Sequence, residues 1–321
     1  MTNAHSIKAT LLLVATQLKV QNIEAEMAKF EAQLLLQNVL KVNRAWLIAH
    51  QNDALEANIH AAYGALINRR VNGEPIAYIL GYREFYGLKL KVSVDTLIPR
   101  PDTETLVDAA LAKISSSPSF PRRRESKLNL TQKMDSRLRG NDALNNVIEN
   151  IQTRILDLGT GSGAIALAIA KHRPHTFVTA LDASQPALDV AIENAQSLNI
   201  SNVNFLLSDW FDALKLNDDH KKFDVIVSNP PYIEALDAHL NQGDLRFEPL
   251  SALASGADGL DDIRQIITQA PLHLNPQGWL MLEHGYNQSQ AVALLLKQVG
   301  FNDIEHIKDL AGINRVTIGR I

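Results

Sequence analysis

The sequence contains no cysteine among its 321 residues. This absence excludes disulfide bonds, thiolate nucleophiles and cysteine-ligated zinc, and no metal site is assigned. An excess of charge is lacking too: the formal net charge is −4, whereas proteins that grip duplex phosphates are usually basic. The apolar run Leu11–Ala15 ends at Thr16, too short for a secretory signal or a membrane span. We therefore expect a cytoplasmic protein without a membrane partner.

The first part of the chain, residues 1–74, has a helical pattern. Apolar residues recur three and four positions apart in Ile7–Leu18, Met27–Leu40 and Leu55–Ile67, the spacing that places them on one face of a helix. The pattern predicts a small helical bundle that has no catalytic group of its own. The bundle serves either as a cap or spacer, or as a docking surface for a substrate.

The pattern changes between residues 75 and 98, where the period shifts toward two. We interpret Ile76–Leu80 and Phe85–Val92 as the two arms of a β-hairpin that links the bundle to the rest of the chain. The prolines at 99 and 101 then block helix formation, and Asp102 or Thr103 is placed to cap a new helix that ends near Ile114. A second, larger domain is predicted from residue 99 to residue 321.

Residues 115–148 interrupt this second domain. Ser115–Pro118 is typical of a linker, and Arg122–Arg124, Lys127 and Lys133 follow with few apolar side chains among them. Such a composition does not bury a core. We predict a disordered, basic insertion that is exposed to solvent; the alternative is a basic loop that contacts nucleic acid.

From Arg154 onward, short apolar runs alternate with helical patterns. Runs that are apolar throughout are typical of parallel strands covered by helices on both faces. The sequence therefore predicts an α/β fold with a mainly parallel sheet. The predicted strands are Arg154–Leu158, Phe177–Leu181, Val203–Leu207, Phe223–Ser228, Gly278–Glu283 and Arg315–Arg320.

A glycine-rich loop lies between the first of these strands and the next helix. Glycines let the chain approach a ligand closely, and the start of the helix offers unpaired N–H groups. The spacing of an aspartate two residues before the first glycine favours S-adenosyl-L-methionine, because an acidic group there helps to hold the methionine ammonium. The loop also fits the looser dinucleotide pattern, so NAD binding or a plain tight turn is the alternative. The candidate cofactor-binding residues are Asp157, Gly159, Thr160, Gly161, Ser162 and Gly163.

Polar and aromatic residues follow the next two predicted strands. Asp182 ends the second strand, about 20 residues beyond the glycine loop, where a carboxylate can accept from both ribose hydroxyls. After the third strand, Asp209 is placed to approach an adenine amino group and Trp210 to flank the ring. An ordinary core aromatic is the alternative for Trp210. Together with the loop, these residues predict a nucleoside site.

The segment Asn229-Pro230-Pro231-Tyr232 directly follows a buried run. Its two prolines fix the backbone and remove two N–H donors, so carbonyls there remain available as acceptors. The Asn229 side-chain oxygen and the Pro230 carbonyl can each accept one proton of a target NH₂ group, which aims the nitrogen lone pair at a sulfonium methyl. We predict Asn229 and Pro230 as catalytic residues, with Pro231 and Tyr232 completing the substrate-binding turn. Tyr232 offers a face for a flat target group.

Three functions fit these residues: methylation of an amide-like nitrogen, methylation of adenine in nucleic acid by the same turn, and a binding module without catalysis. Adenine methylation needs a base flipped from its stack and usually a sizeable basic region, and only the 115–148 segment is basic. The intact Asn-Pro-Pro-Tyr turn argues against a module without catalysis. We therefore favour methylation of an amide-like nitrogen.

Several further stretches resemble the release-factor glutamine methyltransferases, the protein-(glutamine-N5) methyltransferase family. The resemblance covers nearly the whole chain except the insertion. These stretches are more specific than the Asn-Pro-Pro-Tyr turn, which adenine-N6 DNA methyltransferases share. They are Gly73–Tyr78, Glu84–Gly87, Ile98–Glu104, Arg246–Pro249, Ala257–Leu260 and Asn314–Ile318.

The resemblance implies a helical N-terminal domain and a Rossmann-like class I methyltransferase sheet of seven strands, the last one antiparallel. It implies S-adenosyl-L-methionine as cofactor and S-adenosyl-L-homocysteine as product. The implied substrate is the glutamine of the Gly-Gly-Gln loop in class 1 peptide chain release factors, with no direct DNA partner, and a monomer is expected. By the same resemblance, Gly159–Gly163, Asp182, Trp210 and Asn229 correspond to cofactor contacts and Asn229–Tyr232 to the glutamine-binding turn.

Overall fold

The computed structural model describes residues 6–19, 23–114, 153–214 and 222–321. These residues form two compact units. The first unit contains the described residues up to Arg83, together with Lys91–Ile98 and Leu236–Leu253; the second contains the described residues of the remaining segments. The predicted insertion at 115–148 lies outside the described residues.

The first unit is built from helices around an apolar core. The three-and-four spacing of the sequence buries Leu18, Leu35 and Tyr63, whose side chains are 0%, 0% and 1% exposed. The Tyr63 hydroxyl donates to the Ala32 carbonyl at 2.8 Å, so this buried polar group is satisfied. The predicted N-terminal helical region is thus confirmed. Its first four helices are α1 Ile7–Lys19, α2 Ala25–Leu40, α3 Arg44–Ala49 and α4 Ala57–Val71.

The segment Leu236–Leu253 is distant in sequence but belongs to this first unit. The Arg246 guanidinium occupies the space that a side chain on Gly73 would need. The buried Glu248 carboxylate accepts from the Ile98 N–H at 2.9 Å. The stretches around Gly73 and Arg246, which carry part of the sequence resemblance, therefore contact each other directly.

The prediction that Ile76–Leu80 forms the first arm of the hairpin is wrong. These 5 residues form helix α5, which ends at Gly81, whose φ of 76° is the left-handed conformation of a helix C-cap. The hairpin consists of β1 Tyr82–Phe85 and β2 Leu88–Lys91, and both residues of its tight turn have positive φ. The predicted second arm, Phe85–Val92, is therefore wrong as well, because it contains the end of β1 and the turn in addition to β2. A short, unbroken apolar run has no period that separates a helical turn from a strand.

The second unit is built on a seven-stranded sheet whose order along the sheet is β5-β4-β3-β6-β7-β9-β8. The neighbouring pairs from β5 to β7 are parallel, and β9 is antiparallel to both β7 and β8. The predicted α/β class, the seven strands and the antiparallel last strand are confirmed. The strands are β3 Arg154–Leu158, β4 Phe177–Asp182, β5 Val203–Leu207, β6 Phe223–Ser228, β7 Leu274–Glu283, β8 Asn302–Lys308 and β9 Asn314–Arg320.

Helices cover both faces of this sheet. Because successive residues of a strand point to opposite faces, Ile155 packs in the apolar cluster of α6 and α7, and Leu156 packs in the cluster of α9 and α10. Both side chains are 0% exposed, as expected for a strand that is apolar throughout. The helices of this unit are α6 Glu104–Lys113, α7 Ala164–His172, α8 Gln185–Ser197, α9 Asp261–His273 and α10 Ser289–Gln298.

The order of the strands reverses at β3. The chain passes from β3 to β4 on one side and later enters β6 on the other. In such sheets, ligands bind beyond the carboxyl ends of the strands at this switch point. Leu158 is in register with both Leu181 and Ser228. Gly159, Asp182 and Asn229 each come next in the chain, so the fold brings these three candidates to one edge of the sheet.

Candidate active site

The loop after β3 has three glycines in the left-handed region, with φ of 69° at Gly159, 55° at Gly161 and 83° at Gly163. Other residue types are strained in this conformation. A Cβ on Gly163 would also stand only 3.0 Å from the Leu167 side chain, so glycine lets the loop lie against α7. A Cβ on Gly161 would meet nothing within 4 Å, so the backbone of the loop is open there.

Hydrogen bonds hold this loop in place. The Thr160 N–H donates to the Leu181 carbonyl at 2.9 Å, and the Gly161 N–H donates to Asp182 Oδ2 at 2.8 Å. Gly163 is the N-cap of α7 and provides no side-chain cap. The start of this helix therefore presents N–H groups and the positive end of the helix dipole toward the loop.

Asp157 supports the loop from inside the protein. Its side chain is 0% exposed, and Oδ2 accepts from the Thr160 hydroxyl at 2.6 Å and from the Ala166 N–H at 3.2 Å. Oδ1 is buried without a hydrogen-bond partner among the described residues. Burial raises the pKa of this carboxyl to about 7. The structure thus assigns Asp157 to the shape of the loop, and its contact with a methionine ammonium stays a prediction.

Asp157 gives the stability of the protein a testable pH dependence. The pKa of this carboxyl is raised from 3.8 to about 7, so its stabilising contribution is complete below pH 3.8 and is lost as the pH rises through 7. Asp157→Asn removes this titration. From about pH 5 to about pH 8, we expect wild-type stability to fall relative to the variant by on the order of 2 kcal/mol. Urea unfolding of the cofactor-free proteins measures this difference.

The control for this experiment is Asp189→Asn, a matched change at an exposed position on α8. It should follow the wild type at every pH, because it leaves the buried carboxyl in place. A stability difference between wild type and Asp157→Asn that stays constant with pH would contradict the prediction.

Asp182 lies at the end of β4 with its carboxylate half-buried. Its Oδ2 accepts from the Gly161 N–H, and its Oδ1 accepts from the Ser184 N–H at 2.9 Å. Burial raises the pKa of this group. Each carboxylate oxygen can accept more than one hydrogen bond, so acceptor capacity remains for two hydroxyl groups. The contact of Asp182 with ribose hydroxyls stays a prediction.

Trp210 and Asp209 lie in the turn that follows β5. Trp210 has a φ of 40°, and its indole ring lies 3.6 Å from the Cβ position of Gly159. The indole N–H donates to Asp262 at 3.2 Å, which fixes the ring. Asp209 is exposed. The structure therefore brings Trp210 onto the glycine loop, and the contact of Asp209 with an adenine amino group stays a prediction.

The Asn-Pro-Pro-Tyr turn follows β6 directly. The Ser228 hydroxyl donates to the Leu158 carbonyl at 2.8 Å, which joins the ends of β6 and β3. The Asn229 Nδ2 group donates to the Thr103 hydroxyl oxygen at 3.2 Å. Since this bond engages the NH₂ end of the carboxamide, Oδ1 is the end that remains to accept a hydrogen bond. Pro230 is buried beside it.

The backbone at Tyr232 is held by residues that the sequence analysis did not assign. Gln288 Nε2 donates to the Tyr232 carbonyl at 3.0 Å and to the Asp258 carbonyl at 3.2 Å. Gly259, with a φ of 73°, comes so close that a Cβ would stand 2.2 Å from the Tyr232 carbonyl oxygen. The glycine of the Ala257–Leu260 stretch is therefore required for close packing against the turn, and the family resemblance was the signal for it.

A buried carboxyl, Glu283 at the end of β7, completes this side of the site. It is 1% exposed, the Tyr232 hydroxyl donates to Oε1 at 3.4 Å, and Oε2 has no hydrogen-bond partner among the described residues. The nearby Thr103 hydroxyl stabilises the carboxylate and lowers its pKa. Burial raises the pKa of Glu283 to about 7. Of the two predicted caps, Asp102 and Thr103, the structure has Thr103 at the N-cap position of α6, but its side chain makes no capping bond, and its hydroxyl oxygen accepts from Asn229 instead.

The spacing of the strands determines the distance between the two ends of the candidate site. Asp182 ends β4 and Asn229 follows β6, the strands on either side of β3, so their backbones are two strand spacings, or about 10 Å, apart. An extended nucleoside ligand spans such a distance. Within the described ranges, no group of three or more His, Cys, Asp or Glu residues is arranged to hold a metal ion, and no helix there is long and apolar enough to cross a membrane.

This fold and site define a class I methyltransferase. Residues 149–311 match the family model described as "Methyltransferase domain", and residues 12–81 match the one described as "PrmC N-terminal domain". The methyltransferase domain implies the use of S-adenosyl-L-methionine.

Relatives named "Release factor glutamine methyltransferase" are similar to nearly the whole chain. The Xylella fastidiosa (strain Temecula1) protein is 41% identical over 309 residues, 96% of each chain. The Vibrio cholerae protein is 42% identical over 98% of this chain and 96% of its own. The Bordetella pertussis protein is 43% identical over 95% of this chain and 99% of its own. The chain belongs to the release factor glutamine methyltransferase family, as the sequence resemblance predicts.

Proposed function

We propose that this chain transfers the methyl group of S-adenosyl-L-methionine to the N5 atom of the glutamine in the Gly-Gly-Gln loop of class 1 peptide chain release factors. The observation that carries the proposal is the orientation of Asn229. Its NH₂ end is engaged by Thr103, so a carboxamide oxygen is left for the target. A cytoplasmic location follows for the proposed enzyme, because release factors serve ribosomes there.

The residues around the glycine loop fit the proposed cofactor. The open backbone at Gly161 and the N–H groups at the start of α7 suit the carboxylate end of a methionine moiety. Asp182 has acceptor capacity for the ribose hydroxyls, and the fixed ring of Trp210 provides an aromatic face beside the loop. When bound, the cofactor supplies a methyl carbon on a positively charged sulfur and leaves as S-adenosyl-L-homocysteine.

Asn229 and Pro230 position the target nitrogen. A glutamine side chain carries an NH₂ group with two protons; in our proposal the Asn229 Oδ1 and the Pro230 carbonyl accept one each. This holds the nitrogen in line with the methyl carbon, and such alignment supplies much of the acceleration. The nitrogen gains a bond to carbon as the carbon–sulfur bond breaks, and it then releases one proton.

The same two carbonyl dipoles favour the positive charge that grows on the nitrogen in the transition state. Because the alkylated amide loses its proton readily, the mechanism needs no strong base near the target. Tyr232, fixed through its carbonyl and its hydroxyl, offers a flat face to the glutamine amide, a contact worth about 0.5–1.5 kcal/mol. The turn therefore orients and stabilises rather than activating chemically.

The test is mass spectrometry of a release factor after incubation with this protein and S-adenosyl-L-methionine. We expect one added methyl group on the loop glutamine, and none on a release factor in which that glutamine is replaced by alanine. Double-stranded DNA is the parallel substrate, because adenine methyltransferases share the turn. Methylation of the DNA alone would overturn the proposal, as would cofactor binding without transfer to any release factor.

A further inference from the structure

Three polar side chains from distant parts of the chain form a connected series behind the catalytic turn. Glu283 lies at the end of β7, Thr103 lies in the turn before α6, and Asn229 follows β6. Glu283 and Thr103 are 1% and 3% exposed. Burying polar groups is costly unless they are paired; Glu283 Oε1 accepts from Tyr232, whereas Oε2 has no partner among the described residues.

The direction of each hydrogen bond in this series is fixed by chemistry. An ionised carboxylate can only accept, so the single hydroxyl proton of Thr103 goes to Glu283. The lone pairs of the Thr103 oxygen then face Asn229 and accept its Nδ2–H at 3.2 Å. Without this acceptor, the Asn229 carboxamide can rotate by 180° and exchange its oxygen and NH₂ positions. The Asn229 NH₂ group would then face the NH₂ group of the target, and two hydrogen-bond donors cannot pair.

We propose that Glu283 and Thr103 are positioning residues that fix the Asn229 carboxamide with its oxygen toward the methyl-accepting nitrogen. This inference rests on the proposed function and extends it to two residues outside the predicted substrate and cofactor contacts. They act through Asn229, and their effect is on kcat rather than on cofactor affinity.

The groups around Glu283 determine whether its carboxyl is ionised, and the proposed hydrogen bonds from Thr103 to Glu283 and from Asn229 to Thr103 depend on that charge. Burial raises the pKa of Glu283 to about 7, the Thr103 and Tyr232 hydrogen bonds and Arg315 lower it, and Asp102 raises it. Once protonated, Glu283 can donate to the Thr103 oxygen and compete with Asn229 for it. Orientation of the carboxamide, and with it kcat, should therefore decline as the pH falls through this pKa.

The first experiment compares Thr103→Val and Thr103→Ser in methyl transfer to a release factor. Valine keeps the shape but removes the hydroxyl, and we expect kcat to fall about tenfold, the scale of one hydrogen bond, with KM for the cofactor unchanged. Serine restores the hydroxyl and should recover kcat. Thr268→Val, on the exposed face of α9, is the matched control. An unchanged kcat in Thr103→Val, or a loss that serine does not restore, overturns the positioning role.

The second experiment is the pH profile of kcat for wild type and Glu283→Gln. The wild-type kcat should fall as the pH drops through about 7. Glutamine cannot ionise, so the variant should have a lower kcat that does not fall further over this range. If kcat of the variant falls at low pH as it does in the wild type, ionisation of Glu283 does not determine the orientation of the Asn229 carboxamide.

A measurement without substrate separates this inference from the proposed function. In protein labelled with ¹⁵N-asparagine, the side-chain NH₂ signal of Asn229, assigned by its loss in Asn229→Ala, reports the bond to Thr103. Wild type and Thr103→Ser should share a shifted, exchange-protected proton that Thr103→Val lacks. If the wild type fails to methylate release factors, the proposed function fails, and this comparison still decides the inference. Identical spectra for wild type and Thr103→Val overturn it.

Discussion

Asn229→Ala is expected to lower kcat by roughly 10²- to 10³-fold, by analogy with the loss of one preorganised polar group from an active site. The variant removes the carboxamide oxygen that holds one proton of the target NH₂ group. The Pro230 carbonyl remains, but a nitrogen held by one acceptor rotates out of line with the methyl carbon. Steady-state methylation of a release factor measures the loss.

Cofactor affinity should change much less in this variant than kcat. Asn229 also corresponds to a cofactor contact by resemblance, so calorimetric titration with S-adenosyl-L-methionine is the necessary companion measurement. Asn302→Ala is the matched control, because Asn302 is exposed on the edge strand β8. Unchanged turnover in Asn229→Ala would remove this residue from its catalytic role. A loss of cofactor binding as large as the loss of kcat would reassign it to the cofactor site.

The parts of the fold that could be predicted from sequence are the strands whose apolar runs have sharp ends, whether buried on both faces, as β3 and β6 are, or at the edge of the sheet, as β5 is. Strands β3, β5 and β6 have the predicted bounds, because their apolar runs end sharply at glycine, polar or proline residues. The candidate loop follows β3, the Asn-Pro-Pro-Tyr turn follows β6, and Asp182 is the last residue of β4. Their convergence at one edge needs only the knowledge that the strands are parallel.

Strand β8 was missed, and its burial pattern explains why. It lies at the edge of the sheet, and most of its residues are exposed or half-buried. The other edge strand, β5, is mainly apolar, whereas β8 has only two apolar residues, Ile304 and Ile307, so it gives a weak signal when hydrophobic period is the guide. The sequence patterns therefore predicted six strands, including β9, and the seventh strand came from the resemblance alone.

The supporting residues of the site were missed for a different reason. Thr103 and Asn229 are 126 positions apart, and Gln288 and Tyr232 are 56 apart. Local patterns contain no information about which polar side chains meet across such distances. Thr103 looked like a helix cap because it precedes a helix, and only the tertiary structure shows that its hydroxyl oxygen accepts from Asn229 instead.

Asp182→Ala is expected to weaken binding of S-adenosyl-L-methionine by about 1.5–3 kcal/mol, the range for hydrogen bonds to a charged group. That range corresponds to a dissociation constant about 10- to 150-fold higher. The half-buried carboxylate is in our proposal the acceptor for both ribose hydroxyls, and it also holds the Gly161 N–H at 2.8 Å. The variant therefore loses a ligand contact and part of the preorganisation of the loop.

Two companion variants separate these contributions in the calorimetric titration. Asp182→Asn keeps one acceptor oxygen in nearly the same shape, so its affinity should lie between those of wild type and Asp182→Ala. Asp189→Ala removes the same charge from an exposed position on the following helix and should bind like the wild type. Wild-type affinity in Asp182→Ala would exclude the carboxylate from the ribose site. Equal weakening in Asp189→Ala would mean that overall charge, rather than a contact made by Asp182, determines how the cofactor binds.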